Sequence, residues 1–304
     1  MKGKTMLIIR VMGGLGNQLF QYAFYILLQE MGKEVRLDIS HYAKENDSRD
    51  KRPLDLLLFQ KLEFISCSEK EKLKYLDEGC TFWNKVRRKL FGTYNKALLE
   101  DRQFMPEIFD REEGYLQGYW NSERYSGKIE ELLQNKLQFP SVTDQRNKEL
   151  AEELTQNESI GIHVRLGDYL LPENEKLFGG ICTEDYYQSA IAHVIKACND
   201  PVFYLFCEDA SLISSKLKGK NVKIIDWNKG ESSIFDMYLM SLCKGNICAN
   251  STFSLWAAKL NKRTDRLRMR PEVLDNQVIQ DIGEVEELQR NGWILINKSG
   301  RILD

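Results

Sequence analysis

The chain has 304 residues, and 43 Lys+Arg against 45 Asp+Glu leave a net charge of −2. That length holds one large or two ordinary domains with a substantial core, and the balanced charge excludes the basic excess of a dedicated nucleic-acid binder. Aromatic residues at 11% and 6 prolines against 20 glycines exclude a disordered chain.

Residues 6–12 are a short, β-branched-rich apolar run ending in Gly13-Gly14-Leu15-Gly16, which predicts a strand entering a tight turn. From Asn17 the apolar residues Leu19, Phe20, Ala23, Phe24, Leu27, Leu28 and Met31 recur every three or four positions. That spacing predicts a helix closed by Gly32, and residues 34–39 read as a second strand. A strand–turn–helix–strand opening belongs to a Rossmann-like α/β layer. Residues 51–150 are charge-rich and aromatic. They predict helices over 68–78, 81–91 and 123–133, and a strand running into a turn at Tyr115-Leu-Gln-Gly-Tyr-Trp-Asn. The polar stretch 143–157 reads as a helix linking two layers.

A second α/β series follows. Strands over 159–164, 202–207, 222–226 and 246–249 alternate with helices over 183–198, 232–243 and 252–260. Thr183 is the expected N-cap of the first helix, and Ser251 or Thr252 of the last. Such alternation predicts a parallel sheet covered on both faces. In the tail, 262–270 carries five basic residues and one Asp, 278–288 reads as a helix and 293–296 as a terminal strand. The basic segments 85–89 and 262–270 are balanced by nearby acids, which points to solvated faces or a membrane-surface contact rather than nucleic acid.

The seven cysteines are scattered, with no CxxC pair, and read as free thiols in a reducing compartment. The N-terminal apolar run is too short for a signal peptide. No segment of about 18 apolar residues occurs. The expected location is cytoplasmic, with a peripheral membrane contact left open.

Ligands of open α/β sheets bind beyond the carboxyl ends of the strands, and four segments place polar residues there. The first is the glycine turn with Gly14, Gly16, Asn17 and Gln18. It is neither the dinucleotide fingerprint, whose third glycine position holds Leu19, nor a Walker loop, and it serves either a ligand or a plain strand-to-helix turn. The second is His163-Val-Arg165-Leu-Gly-Asp168. His163 and Arg165 share one strand face, and Asp168 either braces Arg165 or orients it toward a phosphate. The third is Glu208-Asp209, which suits a ribose, a base edge, a metal or a helix cap. The fourth is Asn250-Ser251-Thr252-Phe253, a helix start able to hold an anion. The chain has no Asp-x-Asp, the usual cue for a metal-bound nucleotide sugar. The aromatics from Tyr115 to Trp120 suit either an acceptor sugar or the core. Two Rossmann-like units facing a cleft, with phosphate-binding tools in the second, suggest a sugar transferase of GT-B-like α/β fold.

At these residues a family resemblance emerges. GGLGNQLFQYA at 13–23, HVRLGDY at 163–169 and NSTFSLWAAKL at 250–260 resemble, in the same order, the motifs of alpha-1,2-fucosyltransferases of glycosyltransferase family 11. Gly118-Tyr-Trp-Asn-Ser-Glu, Phe206-Cys-Glu-Asp-Ala and Asp236-Met-Tyr-Leu-Met-Ser add to it. The resemblance implies an inverting transfer of fucose from GDP-fucose to the 2-hydroxyl of a terminal galactose in an oligosaccharide or polysaccharide repeat, with no metal or other cofactor. It implies that Arg165 binds the diphosphate, that His163 and Asp209 lie near the guanosine, that Ser251 and Thr252 sit at the phosphates, and that Asn17 lies near the reacting centre. Asp168, Asn250 and Phe253 complete the expected donor set. Leu166 stands where the family often has a second Arg, which leaves most of the diphosphate charge to Arg165.

On this reading 1–150 is an N-terminal α/β domain on the acceptor side, and 151–304 a Rossmann-like domain for GDP-fucose. A lipid-linked glycan acceptor stays open as a partner, and nucleic acid is not expected. The general base is unassigned, with Asp168 and Glu173 as the carboxylates to test. Two other readings are a non-catalytic nucleotide-sugar-binding protein and a fucosyltransferase of different linkage. An NAD- or SAM-dependent enzyme is disfavoured, since Asp38 alone could serve a ribose at the end of the second strand.

Overall fold

The computed structural model describes residues 5–43, 53–79, 81–100, 103–165, 169, 171–212, 221–278 and 281–303. The chain forms two compact units, Met1–Leu56 with Leu62–Ile129, and Leu57–Lys61 with Glu130–Asp304. Each is an α/β layer on a parallel sheet, the class the alternating pattern predicts.

In the first unit the opening apolar run forms β1 (Leu7–Arg10), followed by α1 (Leu15–Glu30) and β2 (Val35–Asp38). α1 is buried over nearly its whole circumference. The short helices α2 (Ser40–Ala43) and α3 (Glu69–Lys72) and the longer α4 (Phe82–Phe91) lead to β3 (Ala97–Leu99), β4 (Gly114–Gln117) and α5 (Glu123–Ser126). The strand order is β2-β1-β4-β3, all parallel, with Ile8 opposite both Arg36 and Tyr115. The helix expected over 68–78 shrinks to the single turn of α3, because Leu76 leaves it to form a β-bridge with Asn95. The aromatics at the end of β4 belong to the core. Tyr115 and Trp120 are buried, and Trp120 stacks on Phe24 of α1 with ring centroids 4.5 Å apart. Tyr119 alone of that stretch's aromatics is exposed.

The helix expected over 123–133 breaks. α5 passes into a 3-10 turn at Gly127–Ile129 before α6 (Glu130–Lys136) begins, and the unit boundary falls at that break. α6 and α7 (Gln145–Gln156) belong with the second sheet: Gln134 donates to the Lys259 carbonyl at 2.6 Å, and Asn147 to Asn228 at 2.9 Å. The division therefore lies at 129/130 rather than at 150/151.

The second unit continues with β5 (Ser159–Val164), α8 (Pro172–Phe178), α9 (Glu184–Ala197), β6 (Val202–Cys207), β7 (Val222–Ile225), α10 (Ile234–Leu242), β8 (Gly245–Ile247), α11 (Thr252–Lys259), β9 (Leu267–Pro271), α12 (Ile282–Arg290), β10 (Trp293–Ile296) and β11 (Ile302–Leu303). Strand order is β11-β10-β9-β8-β5-β6-β7, parallel except for the β10–β11 hairpin. Alternation along β5 sorts its side chains onto two faces. Ile160, Ile162 and Val164 pack with Leu205, Ile247 and Met269 beneath Tyr186, Ala190 and Val194 of α9. Gly161 and His163 face the other way, where Asn246 of β8 donates to the Met240 carbonyl of α10.

The basic stretch 262–270 runs from exposed Lys262 into β9, whose arginines do not form a solvated face. Arg268 and Arg270 are buried. Glu130 accepts from Arg268 at 2.7 Å and Arg266 at 2.8 Å, and pairs with Lys259 at 3.2 Å. The Arg268 guanidinium lies 4.9 Å from the centroid of the Trp293 ring. Six cysteines are free among the described residues, and burial pushes the thiols of Cys67, Cys182, Cys243 and Cys248 up to about 12. Among the described residues, no helix is long and apolar enough to cross a membrane.

Candidate functional site

Parallel strands end together, so β5, β6 and β8 deliver their following residues to one edge of the second sheet. β5 brings His163 and Arg165. His163 is 8% exposed, its carbonyl accepts from Tyr187 at 3.0 Å, and its ring lies 5.8 Å from that of Phe253. Its Nδ1 is buried without a hydrogen-bond partner. Burial, reinforced by the Arg165 charge, pushes the His163 pKa down to about 3, so the ring is neutral at any working pH.

Arg165 follows the last residue of β5 and is partly exposed. Its Nη1 donates to Glu208 at the end of β6, and its guanidinium lies 5.6 Å from the Tyr169 ring centroid. Tyr169 in turn donates to the Asn250 carbonyl at 3.0 Å and stacks on Phe178. Arg165 is thus oriented between the end of β6 and the turn after β8. An ion pair at the edge of a sheet fixes the fork geometry.

The turn after β8 is held by Asn250, whose amide nitrogen donates to the Phe178 and Leu274 carbonyls at 3.0 and 3.2 Å. Its backbone N–H donates to Cys182 Sγ at 3.2 Å. The side chain of Asn250 therefore builds the turn. Ser251 occupies the N-cap of α11 but makes no side-chain cap bond, so its hydroxyl is not spent on the first amides of the helix. Thr252 and Phe253 form the first turn of α11.

Two other expected donor residues stand differently. Asp209 is exposed, and its Oδ1 accepts from Ser211 N at 2.8 Å and Ser211 Oγ at 2.6 Å, the geometry of a turn cap. Asp168 lies outside the described residues, as does Leu166. Glu173 is exposed in the first turn of α8. The structure thus gathers His163, Arg165, Tyr169, Asn250 and Phe253, and adds Glu208, a carboxylate that sequence reasoning left behind Asp209.

A further carboxylate went unassigned. Asp236, in the first turn of α10, accepts from Asn228 at 2.7 Å. Asn228 is held by Asn147, which also accepts from Trp227 at 2.9 Å. Burial first, then the Asp226 charge, pushes its pKa up to about 7. The signal for it was the stretch beginning Asp236-Met-Tyr, which gave no role. Among the described residues, no group of three or more His, Cys, Asp or Glu side chains is arranged to hold a metal ion.

The glycine turn of the first unit is built from α1. Gly13 has φ +81, and a Cβ there would meet Asn17 Nδ2 at 2.7 Å, so that position requires glycine. Gly14 is the N-cap of α1, with extended backbone, and Gly16 is buried inside the helix. Gln18 is fully buried. Its Nε2 donates to the Gly13 and Pro53 carbonyls, both at 2.9 Å, and its Oε1 accepts from Leu56 N at 3.0 Å. Gln21, not singled out by its pattern, accepts from Met12 N at 3.0 Å and donates to the Gly118 carbonyl at 2.9 Å. Asn17 is half-buried in the first turn of α1. Gln18 is therefore a brace of the turn rather than a ligand-facing group. Asp38 is also committed, to Tyr115 at 2.6 Å and Ser40 N at 2.9 Å. Burial alone would raise its pKa, but those hydrogen bonds hold it below the usual carboxylate range.

Comparison with known proteins agrees with the motif-bearing elements. Residues 95–297 match the sequence model of glycosyl transferase family 11, a span that includes the ends of β5, β6 and β8. An alpha-1,2-colitosyltransferase of Escherichia coli is 30% identical over 270 residues, covering 84% of this chain and 88% of the relative. The O-antigen biosynthesis glycosyltransferase WbnK of Escherichia coli is 26% identical over 286 residues, with 85% and 91% covered. Among solved structures, Escherichia coli ADP-heptose lps heptosyltransferase II overlaps 94% of this chain and 98% of its own at 14% identity, with a TM-score of 0.38. Escherichia coli heptosyltransferase WaaC with ADP-2-deoxy-2-fluoro heptose overlaps 96% and 92% at 10% identity and a TM-score of 0.36. With the motifs in order along the chain and the family match extending over two thirds of it, this protein belongs to glycosyl transferase family 11.

Proposed function

We infer that the protein is an inverting alpha-1,2-fucosyltransferase that moves fucose from GDP-fucose to the 2-hydroxyl of a terminal galactose. The observation that carries this reading is Arg165, oriented by Glu208 at the end of β5 and partly exposed, beside a neutral His163 whose Nδ1 has no hydrogen-bond partner and the start of α11. As the bond from the sugar to the diphosphate breaks, positive charge grows on the sugar and negative charge on the departing GDP. A guanidinium already in place, aided by a helix N-terminus, stabilises that negative charge without reorganising in the transition state. The acceptor hydroxyl attacks from the opposite side of the sugar. Its new bond to the anomeric carbon forms as the bond to the diphosphate breaks, its proton passes to solvent water, and this single displacement inverts the anomeric centre.

Within this reading Ser251 and Thr252 serve the phosphates, and His163 serves the nucleoside side of the donor. The first unit serves the acceptor, with Asn17 assigned to the transfer step. The reaction is assigned without a metal, and chelation is expected to leave the rate unchanged. A second transferred sugar, colitose, is favoured by the name of the relative at 30% identity. The test pairs each of GDP-fucose and GDP-colitose with a panel of galactosides, in the presence and absence of EDTA, with product linkage read by NMR. An α-1,2-linked product supports the reading and the preferred donor names the sugar. Tight GDP-fucose binding without GDP release on any acceptor would instead support a binding protein, and another linkage would remove the regiochemical assignment.

A further inference from the structure

A surface helix ordinarily buries its apolar stripe and turns its charges to water. α4 does the reverse. Phe82, Trp83, Leu90 and Phe91 are 71%, 76%, 69% and 80% exposed, and none of the ten residues of the helix is buried. They are four of the twelve large hydrophobics exposed among the described residues, so a third of that set is gathered on one short helix instead of being scattered. At 3.6 residues per turn, Phe82, Val86, Leu90 and Trp83 share one stripe about 100° wide. Phe82 and Trp83 touch edge-to-face at 5.7 Å.

Arginines do the anchoring. Arg88 donates to the Asp77 and Gly79 carbonyls at 3.2 and 2.9 Å, and Arg87 pairs with the Asp77 carboxylate. These contacts fasten the polar side of α4 to its own unit and hold the apolar stripe outward. Lys85 and Lys89 border the stripe, are exposed, and make no ion pair among the described residues. No acidic residue lies in the helix. Aromatic and aliphatic side chains rimmed by unpaired lysines are what an interfacial helix presents to anionic headgroups. A symmetric contact with a second copy would set Lys85 and Lys89 against their own equivalents, which like-charge repulsion disfavours.

We propose that α4 is a membrane-docking surface, inserting Phe82, Trp83 and Leu90 into the headgroup boundary of an anionic bilayer while Lys85 and Lys89 meet its phosphates. This is independent of which sugar is transferred, and its test reads lipid binding alone. Wild type is mixed with vesicles of phosphatidylglycerol and phosphatidylcholine, or of phosphatidylcholine alone, and bound protein is measured by co-sedimentation. The expected result is binding to the anionic vesicles, weakened about 25-fold in Lys85→Gln/Lys89→Gln, or about fivefold per charge. Binding also falls in about 1 M salt, where screening acts within about 3 Å. Phe82→Ser/Trp83→Ser weakens it on the order of tenfold or more, and thermal unfolding keeps its midpoint because neither side chain is buried. Brominated lipid quenches wild-type fluorescence, and Trp83→Phe removes that quenching while keeping the binding. No binding to anionic vesicles, equal binding by wild type and Phe82→Ser/Trp83→Ser, or self-association through α4 in place of lipid binding overturns the proposal.

Discussion

The glycine turn after β1 and the strand ends around Arg165 look alike in sequence, yet they use their polar groups in opposite ways. Both lead into a helix that begins without a side-chain cap, so capping does not distinguish them. In the first, Gln18 and Gln21 satisfy backbone groups on three segments, and Tyr42 adds a bond to the Gly13 carbonyl at 2.8 Å. In the second, His163 keeps a buried nitrogen without a partner and the Ser251 hydroxyl caps nothing. A buried polar group left unmet costs stability unless something else meets it. In the first turn Gln18 and Gln21 are architecture, and in the second the His163 Nδ1 and the Ser251 hydroxyl are not used in that way.

Substitutions at the two places should separate stability from turnover. The largest effect is expected at Arg165: Arg165→Ala should lower kcat by at least about 100-fold, the usual loss when one pre-placed donor to a developing anion is removed, with little change in the unfolding midpoint. Gln18→Ala should do the opposite. It strands the buried Leu56 N–H and removes bonds to the Gly13 and Pro53 carbonyls, of which Gly13 keeps its bond from Tyr42. This costs about 1–3 kcal/mol of stability by denaturant titration and leaves GDP affinity unchanged in the folded fraction. His163→Phe sharpens the contrast. Removing an unpaired buried polar atom should leave the midpoint the same or higher, while KM for the donor rises about tenfold, the loss of one hydrogen bond. A midpoint that drops as far as in Gln18→Ala would make His163 structural as well.

A pH dependence is expected at Asp236. Its folded pKa of about 7 lies above that of an exposed carboxyl, so its contribution to stability is complete below about pH 4 and is lost as pH rises through 7. Asp236→Asn should therefore raise the unfolding midpoint at pH 8 and leave it unchanged at pH 4. The reverse order of gains would contradict the assigned shift.

Much of this was legible in the sequence because period and chemistry agreed there. The strands 159–164, 202–207 and 293–296 fall where the apolar runs predict, and Thr183 caps α9 by accepting from Tyr186 N at 3.2 Å. β9 was hidden because Arg266, Arg268 and Arg270 alternate with apolar residues as a surface strand's would. Only the tertiary pairing with Glu130 and the Trp293 ring tells that two of these arginines are buried. β3 is three residues long, too short for any period to register. At the site, residue types pointed to the strand ends, but partners are set in three dimensions. Nothing local says that Glu208 rather than Asp209 reaches Arg165, or that the Asn250 amide is taken by two carbonyls.

Calorimetric titration of GDP into wild type and Arg165→Ala is the most direct test of the claim that the second unit's strand ends are reserved for a donor diphosphate. The account predicts that wild type binds GDP and that Arg165→Ala binds it at least about tenfold more weakly, as expected for losing a charge-assisted bond. Equal affinity in the two proteins would contradict it.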